Sequence, residues 1–400
     1  MILREVNRVG EGKKNVPKLR FKGYEDAWEQ RKLGDIADRF DNLRVPISAA
    51  DRIPGETPYY GANGIQDYVD GYTHDGEFLL VAEDGANDLE DYPVNYVNGK
   101  IWVNNHAHVI QSKSDISINS FLMYAIKQIK MNQFIVGGSR AKLNSEVMIS
   151  LPITIPDIKE QLFIGDYFQG IDNLITLHQR KYDALKTMKK TLLSKMFPKD
   201  GEEVPEIRFK GFTDAWEQRK LGEVFEQTVE YVNPKLENIE LWSVTVESGL
   251  TPKTERYNRE ALVKKEDKFK LVHPGDVVYN PMNMTIGAVG MNQHSDSIAV
   301  SGYYVTMRLR ENFNGFYFFE WLSSDRAMNL FRNHATGSLI EKQRVQFPTL
   351  SNIGTYVPAF LEQKNIGHFF QRLDKLITLH QRKLDELKNM KKTLLQQMFV

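Results

Sequence analysis

The chain has 400 residues, and its 52 basic and 52 acidic side chains give a formal net charge of zero. This balance argues against a protein that binds nucleic acid unaided, because Lys and Arg contacts to phosphate supply most non-specific affinity. The absence of cysteine excludes disulfides and thiolate metal sites, and the polar N-terminus and lack of long apolar stretches predict a cytoplasmic protein without a signal peptide or membrane span.

The length predicts two or three domains, and an internal repeat sets their order. In chain order we predict a polar lead-in (1–15), a first arm and domain (16–156), a long helix (157–198), a linker (199–204), a second arm and domain (205–358) and a second long helix (359–400).

Two sequence strings occur twice. DAWEQRKLG, preceded by RFKG, lies at Asp26–Gly34 and again at Asp214–Gly222. LITLHQRK lies at Leu174–Lys181 and again at Leu376–Lys383. We call these repeated strings the frame, and the segments between them, which do not align with each other, the inserts (residues 35–150 and 223–348). Two matching frames with different inserts indicate a protein that reads two different things at a fixed separation.

The inserts have the pattern of mixed α/β domains. In the first, which is acidic on balance for no residue-level reason that the sequence offers, we predict strands at Phe78–Val81, Lys100–Val103 and His108–Ile110, turns at Gly61–Gly64, Asp84–Gly85 and Asn98–Gly99, and a helix at Ser120–Met131. In the second we predict strands near Leu241–Val246, Asp276–Tyr279 and Tyr303–Leu309, and one helix near Phe316–Arg332.

The two long helices carry apolar residues at steps of three and four, which is the spacing of a heptad seam. Each rod would measure about 60 Å at 1.5 Å per residue. They could pack each on its own insert, but the narrow stripe favours packing on each other, and a pseudo-twofold would make them antiparallel. The predicted seam comprises Phe168, Ile171, Ile175, His178, Tyr182, Leu185, Phe370, Leu373, Ile377, His380, Leu384 and Leu387. The fold class is therefore α+β, with two pseudo-symmetric α/β domains separated by an antiparallel helix pair.

The histidines do not indicate a metal site. His178 and His380 lie on the seam without a carboxylate at helical spacing, so a packed pair that sets register is the better interpretation. His106 and His108 alternate on a predicted strand and should point to one side, but the sequence groups no further ligands with them.

Signatures of catalysis are also missing. The chain has no G-x-x-x-x-G-K-[ST] phosphate loop and no G-x-G-x-x-G after a strand. Asn280-Pro281-Met282-Asn283 lacks the second proline and the aromatic residue of a methyltransferase loop. We therefore assign no catalytic residues, no metal and no cofactor to this chain.

Glycine-rich polar turns near the end of each insert are the main candidates for DNA contact, since glycine permits close backbone approach and Ser, Arg and Lys supply donors. Earlier polar-aromatic turns could act likewise, and all of them could instead be ordinary turns. The candidate residues are Tyr60, Asn63, Gly64, Asn105, His106, Gly138, Ser139, Arg140 and Lys142 in the first insert, and Asn283, Thr285, Tyr303, Gly337, Ser338, Lys342 and Arg344 in the second.

Over nearly all of its length after residue 15, the chain resembles the DNA-specificity subunit of type I restriction–modification systems. The resemblance rests on DAWEQRKLG, on the Pro-x-x-x-Glu-Gln sequence that begins each long helix (Pro156–Gln161 and Pro358–Gln363), and on LITLHQRK with the MKKTLL that follows it. YYGANGI, NGKIWVNNHAHV and VSGYYV look like strings from target-recognition domains of that family.

The resemblance implies that each insert reads one half of a bipartite, asymmetric double-stranded DNA site, while the helix pair sets the gap between the halves. It implies that catalysis belongs to partners in a host-defence system. Two modification subunits would methylate adenine with S-adenosylmethionine, and two ATP- and Mg-dependent restriction subunits would join for cleavage. Partner contacts to phosphate would then account for the neutral charge.

Two alternatives remain at this point. A stand-alone nuclease or methyltransferase would be active without partners, and a coiled-coil scaffold would show no DNA phenotype when its inserts are exchanged. If the helices are a ruler, four residues (~6 Å) inserted between Lys189 and Met196 should change the gap by one or two base pairs.

Overall fold

A computed structural model describes residues 3–5, 15–136, 142–199, 201–246, 249–253, 268–337 and 343–400. The chain forms two compact units: the first comprises Met1–Gln179 and Arg382–Val400, and the second comprises Arg180–Gln381. In the described part of the chain, no helix is long and apolar enough to cross a membrane.

The first unit is built around a six-stranded sheet with the order β4-β9-β7-β8-β5-β6, in which only the β5–β8 pair is parallel. Its elements are β1 (Leu3–Glu5), β2 (Leu19–Phe21), β3 (Glu29–Lys32), α1 (Leu33–Ile36), β4 (Ala37–Arg39), β5 (Pro54–Gly61), β6 (Gly64–Val69), β7 (His74–Ala82), β8 (Val94–Val103), β9 (Ala107–Ser112), α2 (Asn119–Lys127), α3 (Ser145–Ile149), β10 (Pro152–Ile155) and the start of α4 (Ile158–Lys195).

The second unit has a four-stranded sheet with the order β12-β20-β17-β18, a three-stranded sheet with the order β13-β16-β19, and a β14–β15 hairpin. Its elements are β11 (Glu217–Lys220), α5 (Leu221–Val224), β12 (Phe225–Thr228), β13 (Tyr231–Val232), α6 (Pro234–Glu237), β14 (Trp242–Thr245), β15 (Gly249–Pro252), β16 (Phe269–Val272), β17 (Val277–Tyr279), β18 (Val289–Met291), β19 (Ile298–Ser301), β20 (Val305–Leu309), α7 (Gly315–Leu322), α8 (Asp325–His334), α9 (Phe347–Ser351), β21 (Gly354–Val357) and the start of α10 (Phe360–Met398).

The units share a scaffold although their inserts do not align in sequence. The strand order β4-β9-β7-β8 of the first unit recurs as β12-β20-β17-β18 in the second, and the pair β3–β10 recurs as β11–β21. Each sheet is followed by a helix, α2 or α7, that packs on the first turns of a long helix through a glycine. A Cβ on Gly165 would lie 2.2 Å from Ser120 Oγ, and one on Gly367 would lie 2.5 Å from Asn314 Oδ1.

The repeated strings pack on each other inside each unit. In the first unit, Arg20 of the arm makes a bidentate ion pair with Glu160 at the start of α4, with both contacts at 2.7 Å. In the second unit, Arg208 pairs with Glu362 at the start of α10 at 2.6 and 2.8 Å. Both glutamates are fully buried, so removal of either partner would leave a buried charge without compensation. This shared ion pair gives a physical reason why the arm string and the string that begins each long helix are repeated together.

The long helices also complete the cores of the two units. In the first unit, Phe168 and Ile171 of α4 share a core with Met398 of α10. In the second unit, Met196, close behind α4, shares a core with Phe370 of α10. The start of one helix thus packs with the end of the other in both units, so α4 and α10 run antiparallel. The predicted fold class is confirmed.

Aromatic residues after each helix close these cores. Phe197 lies against Tyr317 at 5.5 Å between ring centroids and stacks on Phe370 at 6.4 Å. Phe399 stacks on Phe121 at 5.5 Å and meets Trp28 edge-on. Leu192, Leu193 and Met196 also contact the second unit's core. A four-residue insertion between Lys189 and Met196 would therefore disrupt that core, and a ruler experiment needs a different position.

Two predictions of secondary structure are wrong. Asn98–Gly99 is not a turn but lies within β8, where Gly99 at φ +94° pairs with Gly76 at φ +142° on β7. Facing glycines let both strands take these dihedrals without a steric penalty. The single helix predicted near Phe316–Arg332 is two helices, because the Ser324 hydroxyl accepts the Ala327 N–H at 3.2 Å and so caps the start of α8.

Candidate nucleic-acid interface

At one edge of the first unit, the end of β7, the start of β9, the β5–β6 turn and residues 142–144 lie together. We call this group the first loop edge. Glu83 N donates to His106 O at 2.9 Å, Leu143 N donates to Glu83 O at 2.7 Å, and Asn104 N donates to Tyr60 O at 3.1 Å. These backbone bonds join segments that are distant in sequence into one surface.

Exposed polar side chains cover the first loop edge. Asn63 Nδ2 donates to Gly85 O at 2.9 Å, and Asn63 Oδ1 accepts the Asn87 N–H at 3.0 Å. Asn105 is exposed, and the His106 Nδ1 lies 2.5 Å from Asp84 Oδ1 with the ring about half exposed. The surface therefore presents amide and imidazole groups, which suit hydrogen bonds to base edges.

The other predicted residues of this edge are less accessible. Tyr60 is half-buried on β5, and burial raises the pKa of its hydroxyl. Gly64 takes φ +110° and closes the β5–β6 turn opposite Gly61. The exposed Lys142 pairs through its backbone with Val136 at 3.0 and 3.1 Å.

An ionic cluster lies beneath the first loop edge. The Glu83 carboxylate lies 2.6 Å from Arg44 Nη1, 2.9 Å from Lys142 Nζ and 3.6 Å from His108 Nδ1. Burial raises the pKa of the Glu83 carboxyl, but the hydrogen bonds from Arg44 and Lys142 outweigh it and hold the pKa below its usual value. The cluster fixes residues 142–144 to the sheet through side chains as well as through the backbone.

His108 does not share the position of His106, so the prediction that both rings point to one side is wrong. His106 precedes β9 and is exposed, whereas His108 lies on β9 and is fully buried. His108 Nε2 lies 2.8 Å from Leu143 O, and its Nδ1 lies 2.7 Å from Asp41 Oδ2. A carbonyl only accepts, so Nε2 carries a proton. In the described part of the chain no group of three or more His, Cys, Asp or Glu could hold a metal.

The second unit has a corresponding second loop edge, formed by residues 280–286 after β17, Tyr303 before β20, and Thr336, Gly337 and residues 343–345. Val345 N donates to Pro281 O at 2.9 Å. Thr336 and Arg344 exchange two backbone hydrogen bonds at 3.0 and 2.9 Å. The exposed Arg344 guanidinium lies over the ring of Tyr303, which is also exposed, at 5.9 Å.

The predicted residues of this edge differ in exposure. Asn283 and Gly337 are exposed, and Gly337 takes φ +129°. Thr285 is buried, and its carbonyl accepts from Nε of the exposed Arg332 at 3.2 Å. The remaining predicted contacts, Gly138, Ser139, Arg140, Ser338 and Lys342, lie outside the described residues.

The two edges correspond in strand register. Leu79 pairs with Ile110 in the first unit, and Val277 pairs with Met307 in the second. Glu83 lies four residues after Leu79 and Pro281 lies four residues after Val277, so the two positions correspond. The Glu83 carbonyl accepts the N–H of Leu143, the residue after Lys142, and the Pro281 carbonyl accepts the N–H of Val345, the residue after Arg344. The backbone arrangement is therefore common to both edges while the side chains differ. Arg44, Glu83, Asp84 and Arg332 were missed, because their contacts join distant segments and follow no local motif.

The residues of the predicted seam divide by depth. His178, Ile175, Tyr182, Leu185, Ile377 and His380 are half-buried, whereas Phe168, Ile171, Phe370, Leu373, Leu384 and Leu387 are buried. Phe168 and Ile171 belong to the first unit's core, and Phe370 and Leu373 belong to the second unit's core. Part of the predicted seam thus also serves to attach each helix to its unit.

Comparison with known proteins identifies several relatives described as type I restriction enzyme specificity subunits. A candidate type I restriction enzyme specificity subunit from Haemophilus influenzae is 42% identical over 141 residues, which cover 35% of this chain and 36% of that protein. The EcoprrI specificity subunit of Escherichia coli is 29% identical over 122 residues, covering 30% of this chain and 29% of that protein. The chain thus matches about a third of the length of these two relatives. The MjaVIII specificity subunit of Methanocaldococcus jannaschii is 20% identical over 403 residues, covering 92% of this chain and 91% of that protein.

The fold has a solved counterpart. The S subunit of a type I restriction–modification system from M. genitalium superposes with a TM-score of 0.72 at 12% identity, covering 96% of this chain and 99% of that one. The family described as the type I restriction modification DNA specificity domain matches residues 25–187 and 213–389. Because this match includes both halves and most of the chain, the protein belongs to the type I restriction–modification DNA specificity family, as its repeated strings predicted, and is not a coiled-coil scaffold without recognition domains.

Proposed function

We propose that this chain is the non-catalytic, sequence-reading subunit of a type I restriction–modification complex, and that each unit binds one half of a bipartite DNA site through its loop edge. The observation that carries this proposal is the common backbone arrangement of the two edges combined with their different exposed side chains. Two readers built on one scaffold would hold DNA in the same way and prefer different bases.

The exposed polar residues are the proposed contacts. At the first edge, Asn63, Asn105 and His106 would reach base edges or phosphates, and at the second edge Asn283 and Arg344 would do so. Tyr303 would pack against the sugar–phosphate backbone beside Arg344. Half-buried or buried groups would shape the edge instead of touching bases: Tyr60, Gly64 and Thr285. The exposed Gly337 would let the backbone come close to phosphate. Gly138, Ser139, Arg140, Ser338 and Lys342 remain proposed contacts from their sequence pattern.

Catalysis would belong to partner subunits. The frame is repeated, so it would offer two equivalent docking surfaces to two modification subunits, which would methylate adenine with S-adenosylmethionine. Two restriction subunits would join for ATP- and Mg-dependent cleavage in the cytoplasm. Phosphate contacts from these partners would compensate for the zero net charge of this chain.

The helix pair would set the gap between the half-sites. Because α4 and α10 both pass from one unit into the other, the helix pair can be lengthened only if both helices gain the same number of residues. Seven residues inserted after Gln179 and after Gln381 add two turns, about 10 Å, and keep the apolar face in register. We expect the gap to grow by about three base pairs, at ~3.4 Å each. The same seven residues inserted after Glu203 in the linker should leave the gap unchanged.

The defining experiment maps adenine methylation across the genome of cells that express this chain with its modification subunit. A split motif with methylated adenines in both halves and a fixed gap is the expected result. Exchange of residues 35–150 with residues 223–348 should then reverse the order of the two half-sites. A complex that assembles but produces no motif would contradict the proposal, and methylation by the purified chain alone would make it an enzyme in its own right.

A further inference from the structure

The two loop edges hold their cations differently. At the first edge, the Glu83 carboxylate is 12% exposed and contacts Arg44, which is 15% exposed, and Lys142, which is 47% exposed. Arg44 is held further by the carbonyl oxygens of Ala107 at 2.8 Å and Asp41 at 3.1 Å. Glu83 therefore pairs with both cations, and the Asp41 carboxylate also lies 3.7 Å from Arg44 Nη2.

Among the residues of the second edge that the structure describes, no carboxylate corresponds to Glu83. Pro281 occupies the position that corresponds to Glu83, and the exposed Arg344 contacts the ring of Tyr303. Across the residues that the structure describes in the second unit, Arg344 forms no ion pair with a carboxylate. Lys142 and Arg344 thus stand at corresponding points of the backbone, one neutralised and the other available to an anion.

We propose that Glu83 withholds Lys142 and Arg44 from DNA phosphates, so that, among the described cations of the two edges, phosphate attraction comes mainly from the second edge. This inference rests on the proposed function. A phosphate that approaches Lys142 must displace a carboxylate already 2.9 Å from its Nζ. Because Glu83 is only 12% exposed, salt screens this pair less than it screens a pair of fully exposed charges.

The consequence concerns the affinity for non-specific DNA. Each Lys or Arg that neutralises a phosphate strengthens binding to every DNA sequence alike. Because the described cations Arg44 and Lys142 are both paired with Glu83, the first edge would contribute mainly through hydrogen bonds to bases and would add less affinity for DNA of any sequence. This role gives one carboxylate of the acidic first insert a reason to lie at a DNA-reading edge.

The test measures DNA affinity of the full chain assembled with its modification subunits, on a duplex that contains the mapped motif and on one with both half-sites scrambled. The dissociation constant is measured from about 50 to 200 mM salt. Glu83→Gln should steepen the slope of log K against log salt by about 0.9 for one released cation. The matched control is Asp115→Asn, which removes one exposed carboxylate from the turn that follows the other end of β9.

For Glu83→Gln, this slope means that affinity falls about 3.5-fold more across that salt range than in the unchanged complex. The gain at low salt should appear on both duplexes by a similar factor, because a phosphate contact does not depend on sequence, so the ratio of the two dissociation constants should stay unchanged. The double variant Glu83→Gln/Lys142→Gln should lose most of the gain, because the released cation is then absent.

Two further single variants provide a test that does not require the Glu83→Gln protein to fold. Arg344→Gln should lower the slope by about 0.9, and Lys142→Gln should lower it by less than half as much. The inference is overturned if Lys142→Gln costs as much slope as Arg344→Gln, or if Glu83→Gln behaves like Asp115→Asn. A complex that binds both duplexes equally before any substitution would contradict the proposed function itself.

Discussion

Glu320 on α7 provides a test of how the helix pair is held in the second unit. Its carboxyl group is buried, and one of its oxygens lies 2.9 Å from Lys189 Nζ on α4. Lys189 also contacts both oxygens of Asp374 on α10 at 2.7 Å, so one ammonium faces two carboxyl groups. Burial is the main cause that raises the pKa of Glu320 to about 8; Lys189 opposes the rise and Asp374 adds to it. In the first unit Tyr124 stands in the place of Glu320, and its hydroxyl donates to Asp172 at 2.6 Å.

The sign and size of the effect follow from the raised pKa. An unfolded glutamate titrates near 4.3, so between about pH 4.5 and 8 the folded chain keeps a proton that the unfolded chain releases. The stabilisation is complete below the unfolded pKa and is lost as the pH rises through the folded pKa. The free energy of unfolding should fall by up to about 1.4 kcal/mol per pH unit, with an upper limit of about 5 kcal/mol over the whole window.

Urea denaturation of the full chain between pH 5 and pH 8.5, followed by tryptophan fluorescence, measures this slope. Glu320→Gln keeps the shape and removes the titration, so its stability relative to wild type should improve steadily as the pH rises and level off above pH 8. Glu311→Gln, which removes an exposed carboxyl group from the same unit, should follow the wild-type curve. A constant difference between Glu320→Gln and wild type over this pH range would refute the reasoning.

Three further substitutions and one control substitution test the packing of the frame, each by urea denaturation. Phe197→Ala removes a ring that is 2% exposed and should cost about 3–5 kcal/mol; a cost below 1 kcal/mol would mean that the ring does not close the second unit's core. Glu160→Gln leaves the buried Arg20 without its counter-charge and should cost about 3–5 kcal/mol, and an unchanged denaturation midpoint would contradict that pairing. Gly367→Ala should destabilise by about 1–3 kcal/mol, because its Cβ would collide with the N-terminus of α7. Gly170→Ala, with open space around its Cβ, should stabilise by up to about 1 kcal/mol, and the same sign for both glycines would argue against the close contact.

The helices and the frame could be predicted from local sequence because their signals are local. Steps of three and four between apolar residues, with Pro156 before and Pro198 after, predict a helix at 157–198, and the structure has one at Ile158–Lys195. The repeated strings identified the family because they recur together. Their recurrence has a physical basis in the buried pairs Arg20–Glu160 and Arg208–Glu362, which link arm and helix in each unit.

The secondary structure of the inserts depends at two places on tertiary contacts that the local sequence pattern does not reveal. Asn98–Gly99 has the composition of a turn, but pairing with Gly76 across the sheet keeps it in a strand. Ser324 interrupts an apolar helical pattern because its hydroxyl caps the next helix.

The loop edges show most clearly which properties the sequence determines and which only the tertiary structure determines. The sequence by itself determined two different inserts on one repeated frame, because each frame string needs only its own partner string in order to pack. Only the tertiary structure decided that Glu83 meets Lys142 and Arg44 while Pro281 leaves Arg344 unpaired with any described carboxylate. Those contacts join segments that are far apart in the chain, and their electrostatic energy depends on distances and burial that exist only after folding.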